Sequence, residues 1–130
     1  MNVDSPVFLF DQGIPGFENL RQFIFLEIEG NIPMRLMKSL EDQHISLLVV
    51  SPFFIYPEYE WELSEPVKQE LLIKTEADVE VWSIVTLPAE PSQATLNLLA
   101  PLVLNRNEKV GKQLILHDST YSSRAPLIRA

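Results

Sequence analysis

No cysteine occurs among the 130 residues, which removes disulfides, thiolate metal sites and a cysteine nucleophile together and agrees with a reducing compartment. Glycine is scarce, with four residues, and neither a Rossmann glycine run nor a P-loop is present. Histidine is limited to His44 and His117, so H-E-x-x-H and paired metal histidines are absent, as is G-x-S-x-G. Long apolar runs are also missing. The longest, residues 45–50, is cut by Ser46 and closed by Ser51-Pro52, far short of the roughly 20 residues that span a bilayer. The opening MNVDSPVFLF has an early acid and too short an apolar run for a secretory signal. A cytoplasmic protein is expected, without membrane association, cofactor or metal.

Basic residues are outnumbered, 10 Lys and Arg against 18 Asp and Glu, for a net charge of −8. Residues 51–80 hold Glu58, Glu60, Glu62, Glu65, Glu70, Glu76, Asp78 and Glu80 against only Lys68 and Lys74, whereas residues 101–130 carry a net positive charge. A mostly acidic surface repels phosphate backbones and attracts basic proteins, so direct nucleic-acid binding is not expected.

Ten prolines at near-regular spacing separate short apolar runs, a pattern that favours strands and turns over long helices. Strands are expected at 7–10, 23–28, 34–40, 45–50, 58–63, 76–87, 95–105 and 111–116. One segment reads as helical, because Ser64 can cap it, Pro66 sits in its first turn, and Val67 and Leu71 share helical spacing. A chain of this mass buries about two thirds of its unfolded surface in one core. The expected fold is therefore mostly β: a single domain over 1–130, a small antiparallel β-barrel or barrel-like sandwich with one short helix. Residues 122–130 have little apolar content and read as a flexible tail.

Three patterns carry further information. In Gly13-Ile14-Pro15-Gly16-Phe17, Pro followed by Gly suits the central pair of a type II turn, with Phe17 tucked into the core. In residues 58–63, EYEWEL, strict alternation puts Glu58, Glu60 and Glu62 on one face and Tyr59, Trp61 and Leu63 on the other. Residues 76–81, EADVEV, repeat the pattern with Glu76, Asp78 and Glu80. Like charges directly opposite destabilise a sheet, so either the two segments are kept apart or their acidic face awaits a basic partner. Alternate strand carboxylates lie roughly 6.5–7 Å apart along a line, which does not converge on a metal ion. In ATLNLLAPLVLN, residues 94–105, one parity is wholly apolar and the other mixed. Pro101 marks an edge or a break in the ladder, the alternative being that the segment is central core. The run His117-Asp118-Ser119 has triad residue types, but adjacent strand positions point to opposite faces. Nothing here supports an enzyme.

Read in order, FDQGIPGFENLRQF (10–23), LMKSLED (36–42), ISLLVVSPFFIYPEYEWEL (45–63), DVEVWSIVTLP (78–88), ATLNLLAPLVLN and GKQLIL, with Tyr121 and Pro126 beyond, resemble the flagellar assembly factor FliW family over nearly the whole chain. The resemblance implies a non-enzymatic cytoplasmic β-barrel that binds new flagellin and, when flagellin is scarce, binds CsrA, an RNA-binding repressor of flagellin translation. Flagellin's disordered, amphipathic ends would need an apolar groove or an open sheet edge. The mixed face of residues 94–105, with Asn97, Leu99, Val103 and Asn105, is the expected flagellin contact. The acidic set Glu58, Glu60, Glu62, Glu76, Asp78 and Glu80 is the expected CsrA contact, since CsrA-type regulators carry basic RNA-binding surfaces. A general chaperone or structural interaction domain without CsrA antagonism is the alternative.

Overall fold

The computed structural model describes residues 6–117 and 119–129. Its strands are β1 (Val7–Leu9), β2 (Gln22–Ile28), β3 (Met34–Ser39), β4 (Ser46–Val50), β5 (Val79–Thr86), β6 (Thr95–Leu96), β7 (Leu102–Asn105), β8 (Val110–Gln113) and β9 (Ala125–Pro126). Seven of them close a barrel in the order β4-β3-β2-β1-β8-β7-β5, with β5 returning to β4. Every junction is antiparallel except β1 with β8, a parallel contact at Leu9↔Val110. The last two strands extend the sheet, β6 on the C-terminal end of β5 and β9 on β6.

Period-two alternation builds the interior. Phe8, Phe10, Phe23, Phe25, Met37, Val49, Trp82, Leu102 and Leu104 form one buried cluster. Inside it Phe8 meets Phe25 edge-on with ring centroids 5.4 Å apart, and Phe10 meets Phe23 in the same way at 5.4 Å, the geometry that ring quadrupoles favour. The opening turn is tied to this core: the Phe17 N–H donates to the Ile14 carbonyl at 2.8 Å, and Gly16 takes φ 89°, as the Pro-Gly pair predicts.

Several expectations are corrected. Residues 58–63 alternate buried and exposed as expected but belong to no strand. Residues 76–78 form a 3₁₀ turn before β5. The long strand expected over 95–105 stops at Leu96 and resumes at Leu102, because the Asn97 side-chain oxygen accepts from the N–H groups of Leu99 and Ala100 and turns the chain, and because Pro101 has no N–H to give a ladder. The expected helix is present as Glu65–Glu70, with the Ser64 hydroxyl accepting from Val67 N–H at 3.4 Å. A second short helix, α1 (Pro52–Ile55), precedes it; the helix at Glu65–Glu70 is α2. The expected flexible tail instead supplies β9, and its Leu127 N–H donates to the Ala94 carbonyl.

Two satellite clusters lie outside the barrel. Tyr59, Leu96, Leu98 and Ala125 pack under β6 and β9, and Leu71 at the end of α2 packs with Val103 and Leu114 over the outer face of β7. Inside, the fit on β8 is tight: a Cβ on Gly111 would stand 2.6 Å from Leu104 Cδ2 and 2.7 Å from Phe10 Cζ. Gly111→Ala is therefore expected to destabilise the barrel by about 1–3 kcal/mol through overpacking. Thermal melting reads this directly, and an unchanged midpoint would show that Phe10 and Leu104 have room to move.

Candidate functional site

At one mouth of the barrel the inward-facing positions change from apolar to charged. Arg35 on β3 and Glu80 on β5 are paired through Arg35 Nη1 and Glu80 Oε1 at 3.2 Å. The Trp82 indole N–H donates to the same carboxylate oxygen at 3.0 Å, and the Arg35 guanidinium lies 4.6 Å from the Trp82 ring centroid. Arg106 Nε approaches the second Glu80 oxygen at 3.8 Å, and Glu27 stands 3.9 Å from Arg35. Glu80 is only 19% exposed in its side chain, so partial desolvation makes these partners a requirement.

Beside this cluster an open groove of about 1060 Å³ runs past α1 and the extended segment 61–63 to the start of β5. Phe53, Trp61, Leu63, Ile73, Val81 and Trp82 supply its apolar lining. Glu62 and Glu76 stand among its charged residues, both exposed.

The six expected acidic contacts do not share one face. Glu58, Glu60 and Glu62 project from the exposed side of the extended segment while Tyr59, Trp61 and Leu63 turn inward. Glu58 is held by Arg129 at 3.2 Å, and its carboxyl lies below its ordinary pKa through its own backbone N–H and then this guanidinium. The Glu60 backbone is pinned by the Tyr121 hydroxyl, which accepts from its N–H and donates to its carbonyl, leaving the carboxylate in solvent. Glu76 is exposed in the 3₁₀ turn. Asp78 is used internally: it accepts from the N–H groups of Thr75 and Lys74 at 3.1 Å and from the Asn107 amide. The Thr75 and Lys74 N–H groups hold its carboxyl below the ordinary range. Glu80 faces the barrel mouth. Of the two alternatives, the segments are kept apart as strands: residues 58–63 lie in no strand and, among the described residues, have no ladder partner.

The expected flagellin face is divided as well. Asn97 and Leu99 are half-buried at the turn between β6 and β7. Val103 and Asn105 are wholly buried, which corrects their assignment to a surface. Val103 lies beneath Leu71 and Leu114. The Asn105 amide donates to the Leu71 and Leu72 carbonyls at 2.8 and 3.0 Å, while its oxygen accepts from the N–H groups of Asn107 and Glu108. One side chain thus ties the end of α2 to the turn after β7.

The Ser119 hydroxyl donates to the Leu116 carbonyl, His117 is exposed, and Asp118 lies outside the described residues. His44 is an exposed turn residue whose N–H donates to Asp42. Among the described residues no group of three or more His, Asp or Glu is placed to hold a metal ion, and no helix is long and apolar enough to cross a membrane. Tyr59 is buried with its hydroxyl on the Leu98 carbonyl at 2.6 Å, and burial raises its pKa. Sequence reasoning missed the Arg35–Glu80–Trp82 cluster. Its one trace is that Arg35 shares strand parity with buried Met37 and Ser39.

The profile of the FliW protein family matches residues 2–127. A flagellar assembly factor FliW from Bacillus subtilis (strain 168) is 37% identical over 128 residues, covering 98% of this chain and 90% of the relative. One from Clostridium kluyveri is 40% identical over 126 residues, covering 97% and 87%. A crystal structure of the flagellar assembly factor FliW superposes with a TM-score of 0.90 at 32% identity, covering 95% of this chain and 86% of that one.

Two outcomes follow from this placement. Asn105→Ala strands two carbonyls and two N–H groups, and is expected to cost at least about 2 kcal/mol in chemical denaturation; a loss near zero would mean that water replaces the amide. Asp78, with a depressed folded pKa, contributes stability above its unfolded value of about 3.9, and that contribution is lost as pH falls through the folded value. Asp78→Asn is therefore expected to lower the melting temperature at neutral pH and to flatten its decline in acid. Parallel melting curves for both proteins below pH 5 and at pH 7 would contradict this.

Proposed function

Because the chain belongs to the FliW family of flagellar assembly factors, we propose that it is a non-enzymatic factor that binds cytoplasmic flagellin and alternately binds the translational repressor CsrA, relieving repression of flagellin synthesis. The observation that carries the reading is the match of family, sequence and fold over nearly the whole length. The charge distribution supports it. Glu60, Glu62 and Glu76 are exposed and, among the described residues, have no ion-pair partner, so their field acts on an approaching basic protein. Glu58 joins them at the edge, with Arg129 as its resident partner, while Asp78 and Glu80 fix the turn and the barrel mouth behind this surface. On the flagellin side, Asn97 and Leu99 present the turn between β6 and β7, while Val103 and Asn105 are buried further along β7 and serve its packing against the end of α2.

A general chaperone without CsrA antagonism is favoured by one observation, the exposed aromatics Phe53 and Phe54 on α1, at 43% and 53%. It would bind unfolded chains broadly and show no preference for flagellin.

Isothermal titration separates the readings. The purified protein is expected to bind flagellin monomer and CsrA separately, and CsrA is expected not to bind the preformed flagellin complex. Glu60→Lys with Glu62→Lys is expected to slow CsrA association and flatten its salt dependence, since exposed charges act mainly on the encounter rate. Unaltered kinetics at low salt would remove this surface from the interface, and binding to neither protein would withdraw the proposed function.

A further inference from the structure

The groove beside the barrel mouth is bordered by the side of β5 turned away from β7 and by a segment that, among the described residues, has no ladder partner. Along β5 the main chain alternates sides. The Asp78 carbonyl accepts from Arg106 N–H and the Ile84 carbonyl from Asn97 N–H, so even-numbered residues turn toward β7 and β6. Val79, Val81 and Ser83 therefore turn the other way. On that side Ser83 meets Val50, the last residue of β4; the chain then leaves through Ser51 into α1, and among the described residues no strand is set against Val81. The Val79 carbonyl is taken by the Arg106 guanidinium. Across the groove, segment 61–63 is extended, and among the described residues none of its backbone N–H or C=O groups has a hydrogen-bond partner. Trp61, Leu63, Val81 and Trp82 line the space between.

We infer that this groove is a docking slot for one extended peptide segment with alternating apolar and basic side chains, added as a strand along residues 61–63 and Val81. Strand addition satisfies an open edge through main-chain hydrogen bonds and selects side chains with period two. The inward side chains of such a segment meet Trp61, Leu63 and Val81. The outward ones stand opposite the acids of 58–62, where opposite charges stabilise and like charges do not. Charge complementarity fixes the sign. Of the groove's cations, Lys68 is paired with Glu65, and Arg35 and Arg106 with Glu80, which leaves Lys74 against Glu62 and Glu76, both without an ion-pair partner among the described residues, with the exposed Glu60 on the neighbouring segment. This inference rests on the reading above for the protein being a binding factor, and adds the backbone mode and the sequence chemistry of what it binds.

The test uses a short blocked peptide alternating valine and lysine, titrated to millimolar concentration into the ¹⁵N-labelled full chain, with a valine–glutamate peptide as control. The lysine peptide is expected to shift the amides of Trp61, Glu62, Leu63 and Val81 and to protect Val81 and alternate residues of 61–63, and the glutamate peptide is expected to leave them unmoved. Glu62→Lys, at an exposed site whose melting temperature should not change, is expected to weaken the lysine peptide several-fold. No shifts, shifts scattered elsewhere, or equal response to both peptides would overturn the slot. Because the probe is neither flagellin nor CsrA, a silent groove leaves those titrations standing, and failed titrations leave the groove result standing.

Discussion

Everything in this fold depends on β5 being shared. One eight-residue strand pairs with β7 through Val79–Trp82, with β4 through Ser83 and Ile84, and with β6 through Val85 and Thr86. That sharing closes the barrel and also hangs the β6–β9 extension on it. It explains why VEVWSIVT changes character half-way. The first half needs one face for α2 and one for the barrel mouth, so it can carry Glu80; the second half lies between strands and is apolar or small, down to a wholly buried Ser83.

The charged mouth follows from the same strand. A barrel of seven strands ends where its inward side chains reach water, and the transition here is managed by pairing. Arg35, Arg106 and the Trp82 indole surround Glu80, so a carboxylate that would be costly in a half-dry site is fully partnered. Other acids are spent in the same way: Asp78 on the N–H groups of a 3₁₀ turn, Glu58 on Arg129, and Glu70 on Lys112 at 2.8 Å. The acidic excess that remains available to another molecule is therefore smaller, and more local, than the net charge suggests.

The barrel class was legible because alternation and proline spacing are local signals. β1 to β4 fall close to their expected bounds, and the cap at Ser64 was readable from residue type alone. What escaped depends on contacts far apart in the chain. Residues 58–63 have the alternation of a strand, yet whether a ladder forms depends on a neighbour that the sequence of that segment does not contain. Asn97 looks like one more strand residue until its side chain is seen to cap two N–H groups. Asn105 carries a polar label in an apolar run, which suggested surface; its true partners, the carbonyls of Leu71 and Leu72, are over thirty residues away. α1 was hidden by its length, since four residues have no periodicity to read.

The parallel seam between β1 and β8 has a consequence for how the chain is made. Leu9 and Val110 meet across about a hundred residues of sequence, the largest loop in the barrel, and closing it is the entropically dearest step in assembling the sheet. During synthesis, β1 leaves the ribosome long before its second neighbour exists. Its outer residues Val7 and Leu9 stay exposed at 44% and 42% even in the finished fold. The ring cannot close until β8 has been made, so the seam that completes the barrel is among the last parts of it to be synthesised.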